Sequence, residues 1–341
     1  MSKYKEIRGF KIKSLASDPT VDIGQTWYNT TTNTVRFDSV GTGAWATGTN
    51  IPAGRQKAVG LGTSNTSAIV AAGQDPGLTK VSETFSWDGS SWTEVNDWNG
   101  TARSLLAGIG TQTAGLACGG NSPPNRPNVN SWNGTCWSDA NDLETGQQDA
   151  MGCGTQTAGL LAGGGAQMKY TQLWNGTSWT ETNNMNTNRE AGGMAFAGTS
   201  TATAIATGEP DLAHPGGGPT TYSPNCEVWN GTSWTESGNL SIGRSAPGGT
   251  GISTQFILYG GITKSPSNVY VLSNLSEEFD GTSFSATGAM GTARQMFARS
   301  HGTGTAAMAL AGGTQPAPHS VVATVEEWDG APAGVKTVTV S

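Results

Sequence analysis

The chain has 341 residues, of which 50 are glycine and 12 tryptophan, while only 13% are charged and the net charge is −7. A charged fraction about half the usual ~25%, combined with regularly spaced aromatics, excludes a disordered chain, and glycines that fall in doublets and turns exclude collagen. No window reaches the ~18 uninterrupted apolar residues of a membrane-spanning helix, so no membrane insertion is expected.

In chain order, the first 13 residues carry Lys3, Lys5, Arg8, Lys11 and Lys13 against Glu6, a net +4 that leaves −11 on the other 328. The acidic body argues against nucleic acid as a partner. This start has no apolar core of a secretory signal, so synthesis in a cytosol is expected. The basic residues read either as an arm docking on an acidic surface or as a frayed terminus. Residues 1–34 are expected to form an extension, with one domain over 35–341. The segment VRFDSVGTGAWAT, Val35 to Thr47, then resembles the outer half of a repeat.

That repeat decides the architecture. WNGTSWTE occurs verbatim from Trp174 and from Trp229, with variants from Trp87, Trp132 and Phe279 and a truncated WDG at Trp328. A second block, GTQTAGL, occurs verbatim from Gly110 and Gly154, with weaker copies from Gly62, Gly198, Gly251 and Gly302. The turn glycines Gly89, Gly134, Gly176, Gly231, Gly281 and Gly330 are 45, 42, 55, 50 and 49 residues apart. A period near ~50 is that of a kelch-type blade, with WD40 at ~40–45 as the neighbouring possibility. Each unit divides into four short strands: an inner hairpin of small residues such as LACGG, then an outer hairpin around Asn-Gly. If that turn has two residues, its strongest form, Trp229 faces Thr232 and lies diagonal to Trp234; a four-residue loop gives a similar aromatic stripe. No stretch has sustained helical spacing. The expected fold is all-β, a six-bladed kelch-like β-propeller with a short N-terminal extension. Ring closure falls to the strand around Trp45 or to VKTVTV, Val335 to Val340, and spacing does not choose between them. Cys118, Cys136, Cys153 and Cys226 form no CxxC pair and read as small buried hydrophobes.

The glycine doublet followed by an aromatic, a short turn and a second aromatic resembles the kelch motif over roughly 55–330. GTQTAGLACGG, WNGTSWTE and the arginine before each unit are similar to propeller repeats in virion structural and tail-fibre-like proteins of marine tailed bacteriophages. The leader ASDPTVDIGQTWYNTTTNTVRF, from Ala16, resembles a short module of phage fibre proteins. The resemblance implies a non-enzymatic virion component, in multiple copies per particle, attached to other virion proteins through residues 1–34. Its implied role is adsorption to host-surface polysaccharide or decoration of the particle.

Propellers also carry enzymes, so chemistry must be tried residue by residue. His214, His301 and His319 share no metal-ligand spacing, the Trp87 turn only superficially resembles the sialidase Asp box, and Gly163 to Gly165 precede no helix or Lys-Ser/Thr. No catalytic group, metal or cofactor is therefore expected. A glycan-processing enzyme on this fold and a cellular kelch adaptor are the alternatives. One feature rises above the scaffold. Arg55, Arg103, Arg189, Arg244 and Arg294 recur before successive inner strands, with Gln148 read as the sixth position. They are expected on the face that also carries the divergent loops, including EPDLAHPGGGPTTYSPN from Glu209, where recognition usually resides. Two readings stand: each arginine pairs with a nearby glutamate such as Glu83, Glu227, Glu278 or Glu327 and ties blades together, or the ring holds an anionic ligand. Asp211, His214, Tyr222 and Tyr270 are the loop residues assigned to such a ligand.

Overall fold

The computed structural model describes residues 13–17, 26–39, 43–121, 126–165, 169–189, 197–209, 222–265, 269–298, 302–314, 320–330 and 334–337. Among them there is no helix, and the chain separates into two compact units, residues 1–43 with 330–341 and residues 44–329.

The larger unit is built of antiparallel sheets. The first runs Val59–Ser64, Ser67–Ala71, Thr84–Trp87, Trp92–Val95, and the second Ala107–Gly110, Gly115–Cys118, Val129–Trp132, Trp137–Ala140. The third is Met151–Thr155, Ala158–Ala162, Thr171–Trp174, Trp179–Glu181, and the fourth Ala197–Thr199, Ala202–Ala206, Cys226–Trp229, Trp234–Ser237. The fifth is Gly248–Ile252, Gln255–Tyr259, Ser276–Phe279, Phe284–Thr287. A sixth joins Ala306–Leu310, Val325–Asp329 and Ala44–Thr47. Innermost strands touch in sequence order from the first sheet to the sixth and back to the first. They surround a cavity of about 210 Å3 to which Gly60, Gly108, Gly152, Gly198, Gly251 and Gly302 each contribute. This all-β, propeller-like arrangement explains the small inner residues: a Cβ on Gly108 would come within 2.1 Å of the Gly60 carbonyl oxygen in the next sheet.

Apolar side chains fill the spaces between sheets. Val59, Leu61 and Ile69 of the first pack with Leu106, Trp132 and Trp137 of the second, and the series ends with Met308, Leu310 and Val325 of the sixth against Ala68, Val70 and Trp87 of the first. At ~25 cal/mol per Å2 of apolar surface, this face-to-face burial is the main stabilising term.

The outer hairpins correct the two-residue turn. Trp229 pairs directly with Trp234, with ring centroids 5.3 Å apart, so the loop has four residues. Asn230 Oδ1 accepts the amides of Thr232 and Ser233 at 2.9 Å, and Gly231 takes φ 93°, a conformation that glycine adopts without a Cβ clash. The asparagine side chain closes this loop, and the aromatic stripe survives because both tryptophans stay on one face.

Strand Ala44–Thr47 pairs with Val325–Asp329, setting Trp45 opposite Trp328. Of the two closure candidates it is therefore Trp45 that completes the sixth sheet. The C-terminal strand Gly334–Thr337 instead pairs with Thr34–Ser39 in the smaller unit, beside Thr26–Asn29 and Lys13–Leu15. So the expected boundary after residue 34 moves to 43, residues 330–341 leave the larger unit, and Val35 to Thr47 supplies only one strand to the repeat. Cys118, Cys153 and Cys226 are buried, but Cys136 is exposed in its turn, which corrects its reading as a core residue.

Candidate functional site

Arg55, Arg103, Arg244 and Arg294 each stand in the link entering their sheet, two residues before a left-handed residue: Lys57, Leu105, Ala246 and Met296 have φ between 52° and 61°. Asp149, φ 55°, marks the same point in the third sheet, so the sixth position of the series is Gln147, not Gln148.

The five guanidinium groups are buried, Arg189, Arg244 and Arg294 completely. Arg189 Nη1 donates to the carbonyls of Thr207 and Asn225 at 3.0 and 3.1 Å, and Nη2 to Glu227 Oε1 at 2.9 Å. Arg294 does the same with Ala311, Thr324 and Glu326, at 2.8, 2.7 and 2.9 Å, and Arg244 with Gly260, Leu275 and Glu277. Arg55 reaches Glu83 at 2.8 Å and sits over the Phe85 ring. Burial lowers the pKa of Arg55, Arg244 and Arg294, and the partnered glutamate opposes that shift. In the fourth to sixth sheets the terminal guanidinium nitrogens are spent inside the sheet, clasping the end of its second strand to the start of its third, while Arg55 Nη1 turns back to the Gly54 carbonyl and the buried Nε of Arg55, Arg189, Arg244 and Arg294 has no partner. The open ring for an anionic ligand is corrected on that geometry. Sequence spacing also misplaced two partners: they are Glu277 and Glu326, not Glu278 and Glu327. Residues alternate faces along a strand, so in the fourth to sixth sheets the partner lies two positions before the first aromatic, as Glu227 does before Trp229, whereas Glu83 lies four before Trp87. Gln172, two before Trp174, receives Gln147 in the neutral version of this clasp: Gln172 Nε2 donates to Gln147 Oε1 at 2.8 Å.

Arg103 differs. Its Nη1 donates to Gly119 and Asn128 carbonyls at 2.7 and 2.9 Å, but Nη2 meets Asn130 Oδ1 rather than a carboxylate. Its guanidinium lies 4.7 Å from the Trp98 ring centroid, and burial brings its pKa down to about 10.

The loop face gathers other residues. A hairpin, Ile262–Lys264 with Tyr270–Leu272, rises from the connection between the second and third strands of the fifth sheet. It exposes Val269, Tyr270 and Val271 to 58%, 64% and 46%. Lys264 Nζ lies 4.9 Å from the Tyr270 ring centroid and 5.8 Å from that of Tyr222, so these two expected ligand residues do share a neighbourhood. Tyr222 itself is buried. Glu209, whose carboxyl pKa is raised by burial, accepts from Ser245 Oγ at 2.9 Å. Asp211, His214, Lys3, Lys5, Arg8 and Lys11 lie outside the described residues; Lys13 begins a strand that runs parallel to Thr26–Asn29. His301 and His319 also lie outside them.

No known family model matches the chain, and no curated protein matches it. Among solved structures, that of YjhT is similar with a TM-score of 0.64 at 12% identity, covering 81% of this chain and 95% of that one. Such a likeness shows the fold alone. Fold and site together define an all-β, propeller-like protein whose repeated polar residues serve the scaffold and whose irregular positions lie in the links and loops.

Proposed function

We propose that residues 44–329 form a six-bladed kelch-like propeller acting as a non-enzymatic binding module on a tailed-phage particle. Residues 1–34 tether it to other virion proteins, many copies are present, and the loop face meets host-surface glycan or a neighbouring virion protein. The closed order of inner strands supports six blades, and four strands per ~50-residue unit supports the kelch class. The wording of the repeats and of the leader from Ala16 supports the phage origin.

The observation that carries the binding role is the exposed Val269–Val271 edge of the loop hairpin on the fifth sheet. Exposed apolar residues held on a rigid scaffold mark interaction surfaces, and Tyr270 beside Lys264 offers a ring, a hydroxyl and a cation together. Immunogold labelling with an antibody to residues 44–329 is expected to decorate intact particles; label confined to infected-cell lysate overturns the virion role. Tyr270→Ala with Val269→Ser is expected to lower adsorption to host cells at least ~10-fold while particle yield is unchanged. A fall in yield instead makes that edge an inter-subunit contact.

A further inference from the structure

The second sheet departs from the third to sixth at three positions, and the three meet in one cavity. In the third to sixth sheets, the side chain two before the first aromatic also accepts amides of the incoming link. Glu144 N donates to Gln172 Oε1 at 3.0 Å, Asn186 N to Glu227 Oε2 at 2.8 Å, Ser241 N to Glu277 Oε2 at 2.9 Å and Thr292 N to Glu326 Oε1 at 3.2 Å. The matching amides of the second sheet belong to Asn99 and Gly100, and the residue in the glutamate's place is Asn130. It is one methylene shorter, and its Nδ2 donates to Asp139 Oδ1 at 3.0 Å and Asn99 Oδ1 at 3.5 Å. This sheet therefore supplies Arg103 with no glutamate.

The link differs too. Where the other links bury Ile51, Leu143, Met185, Leu240 and Met290, this one buries Trp98, whose indole Nε1 is buried with no hydrogen-bond partner. A buried N–H without an acceptor costs about 1–3 kcal/mol. Gly100 lies against that nitrogen: a Cβ there would stand 3.0 Å from Trp98 Nε1. Trp98, Gly100, Arg103 and Asn130 line a cavity of about 370 Å3, with Arg126, Asp139 and Asp142 also on its wall. Asp142 accepts from Asn128 Nδ2 at 3.2 and 3.4 Å.

We propose that this cavity binds an acidic sugar residue, whose carboxylate fills the place the missing glutamate leaves beside Arg103 and Trp98 and whose hydroxyls donate to Asp139 and Asp142. Indole N–H and guanidinium are donors only, so this end selects an acceptor-only group such as a carboxylate. The two aspartates are acceptors, which selects hydroxyls at the other end. The volume lies near the small end of the ~300–1,000 Å3 range of ligand pockets, a size for one sugar ring rather than an oligosaccharide. The inference deepens the glycan-binding reading by naming a ligand class and a place for it, but it does not depend on attachment to a particle.

The test uses the purified full chain and saturation-transfer NMR with D-glucuronate, glucose and acetate. Glucuronate is expected to bind at least ~10-fold more tightly than either control. Equal binding of acetate overturns the sugar, equal binding of glucose overturns the carboxylate, and no glucuronate binding overturns the site, whatever immunogold labelling finds. Asn130→Glu restores the internal carboxylate and is expected to abolish glucuronate binding while raising the melting temperature. Gly100→Ala is expected to weaken binding at least ~10-fold with the circular dichroism spectrum unchanged. Full binding by both folded variants overturns the assignment.

Discussion

At the residue scale, the tryptophans of the outer hairpins do two jobs that their shared spelling conceals. The first of each pair is anchored within its own sheet: Trp132 Nε1 donates to the Gln112 carbonyl at 2.7 Å and Trp174 Nε1 to that of Gln156 at 2.8 Å. The second reaches the preceding sheet and donates to a hydroxyl at the start of its third strand, Trp137 to Thr84 at 3.1 Å, Trp234 to Thr171 at 3.0 Å and Trp45 to Ser276 at 2.9 Å. Trp179 finds Val129 there, within one apolar cluster, and its buried Nε1 has no partner. Phe284, which has no donor, packs in the cluster that holds Cys226. Val129→Thr is therefore expected to raise stability by about 0.5–1.5 kcal/mol, the net worth of one internal hydrogen bond, read from the urea midpoint. Val325→Thr is the contrasting variant, because Trp92 Nε1 already donates to the Thr49 carbonyl at 2.9 Å. There an added hydroxyl is expected to cost stability.

At the element scale, the clasp is an ion pair that the sheets can replace with a neutral one. Glu227 and Arg189 are both fully buried, and removing one partner from such a pair costs about 3–5 kcal/mol because the other charge is left without compensation. Arg189→Met is expected to lose that much in urea unfolding. Arg189→Gln together with Glu227→Gln copies the Gln147–Gln172 arrangement of the third sheet and is expected to recover most of the loss. A double variant as unstable as the single one would show that the fourth sheet needs the charges themselves. The arginine series was legible in the sequence because it recurs at a fixed offset before each inner strand. Pairing with glutamate was one of its two readings, but two of the partners were not legible, since only strand alternation separates Glu277 and Glu326, which face the clasp, from their neighbours Glu278 and Glu327. Trp98 carried a signal that spacing could have flagged, as an aromatic standing where other links have Ile, Leu or Met.

At the scale of the whole molecule, the closing strand comes from the far end of the larger unit's own sequence. Trp45 lies 4.8 Å from Tyr259 and 5.4 Å from Trp328, measured between ring centroids, so it joins the sixth sheet to the fifth. A chain of residues 44–329 is expected to fold and melt in one cooperative transition, whereas 48–329, lacking Ala44–Thr47, is expected to lose about 3 kcal/mol or more, as deletion of a large packed aromatic does. Equal melting temperatures for the two would remove this strand from the stability of the unit. The sequence by itself determined the all-β class, the four-strand unit and the crowding of glycine at the centre, because these follow from local periodicity and from turns that a few residues dictate. Only the tertiary structure decided which terminal strand closes the sheet, which glutamates turn inward and where a position lacks its partner. Those outcomes rest on contacts between residues far apart in the chain, where one residue of register or one methylene determines whether a buried donor is satisfied.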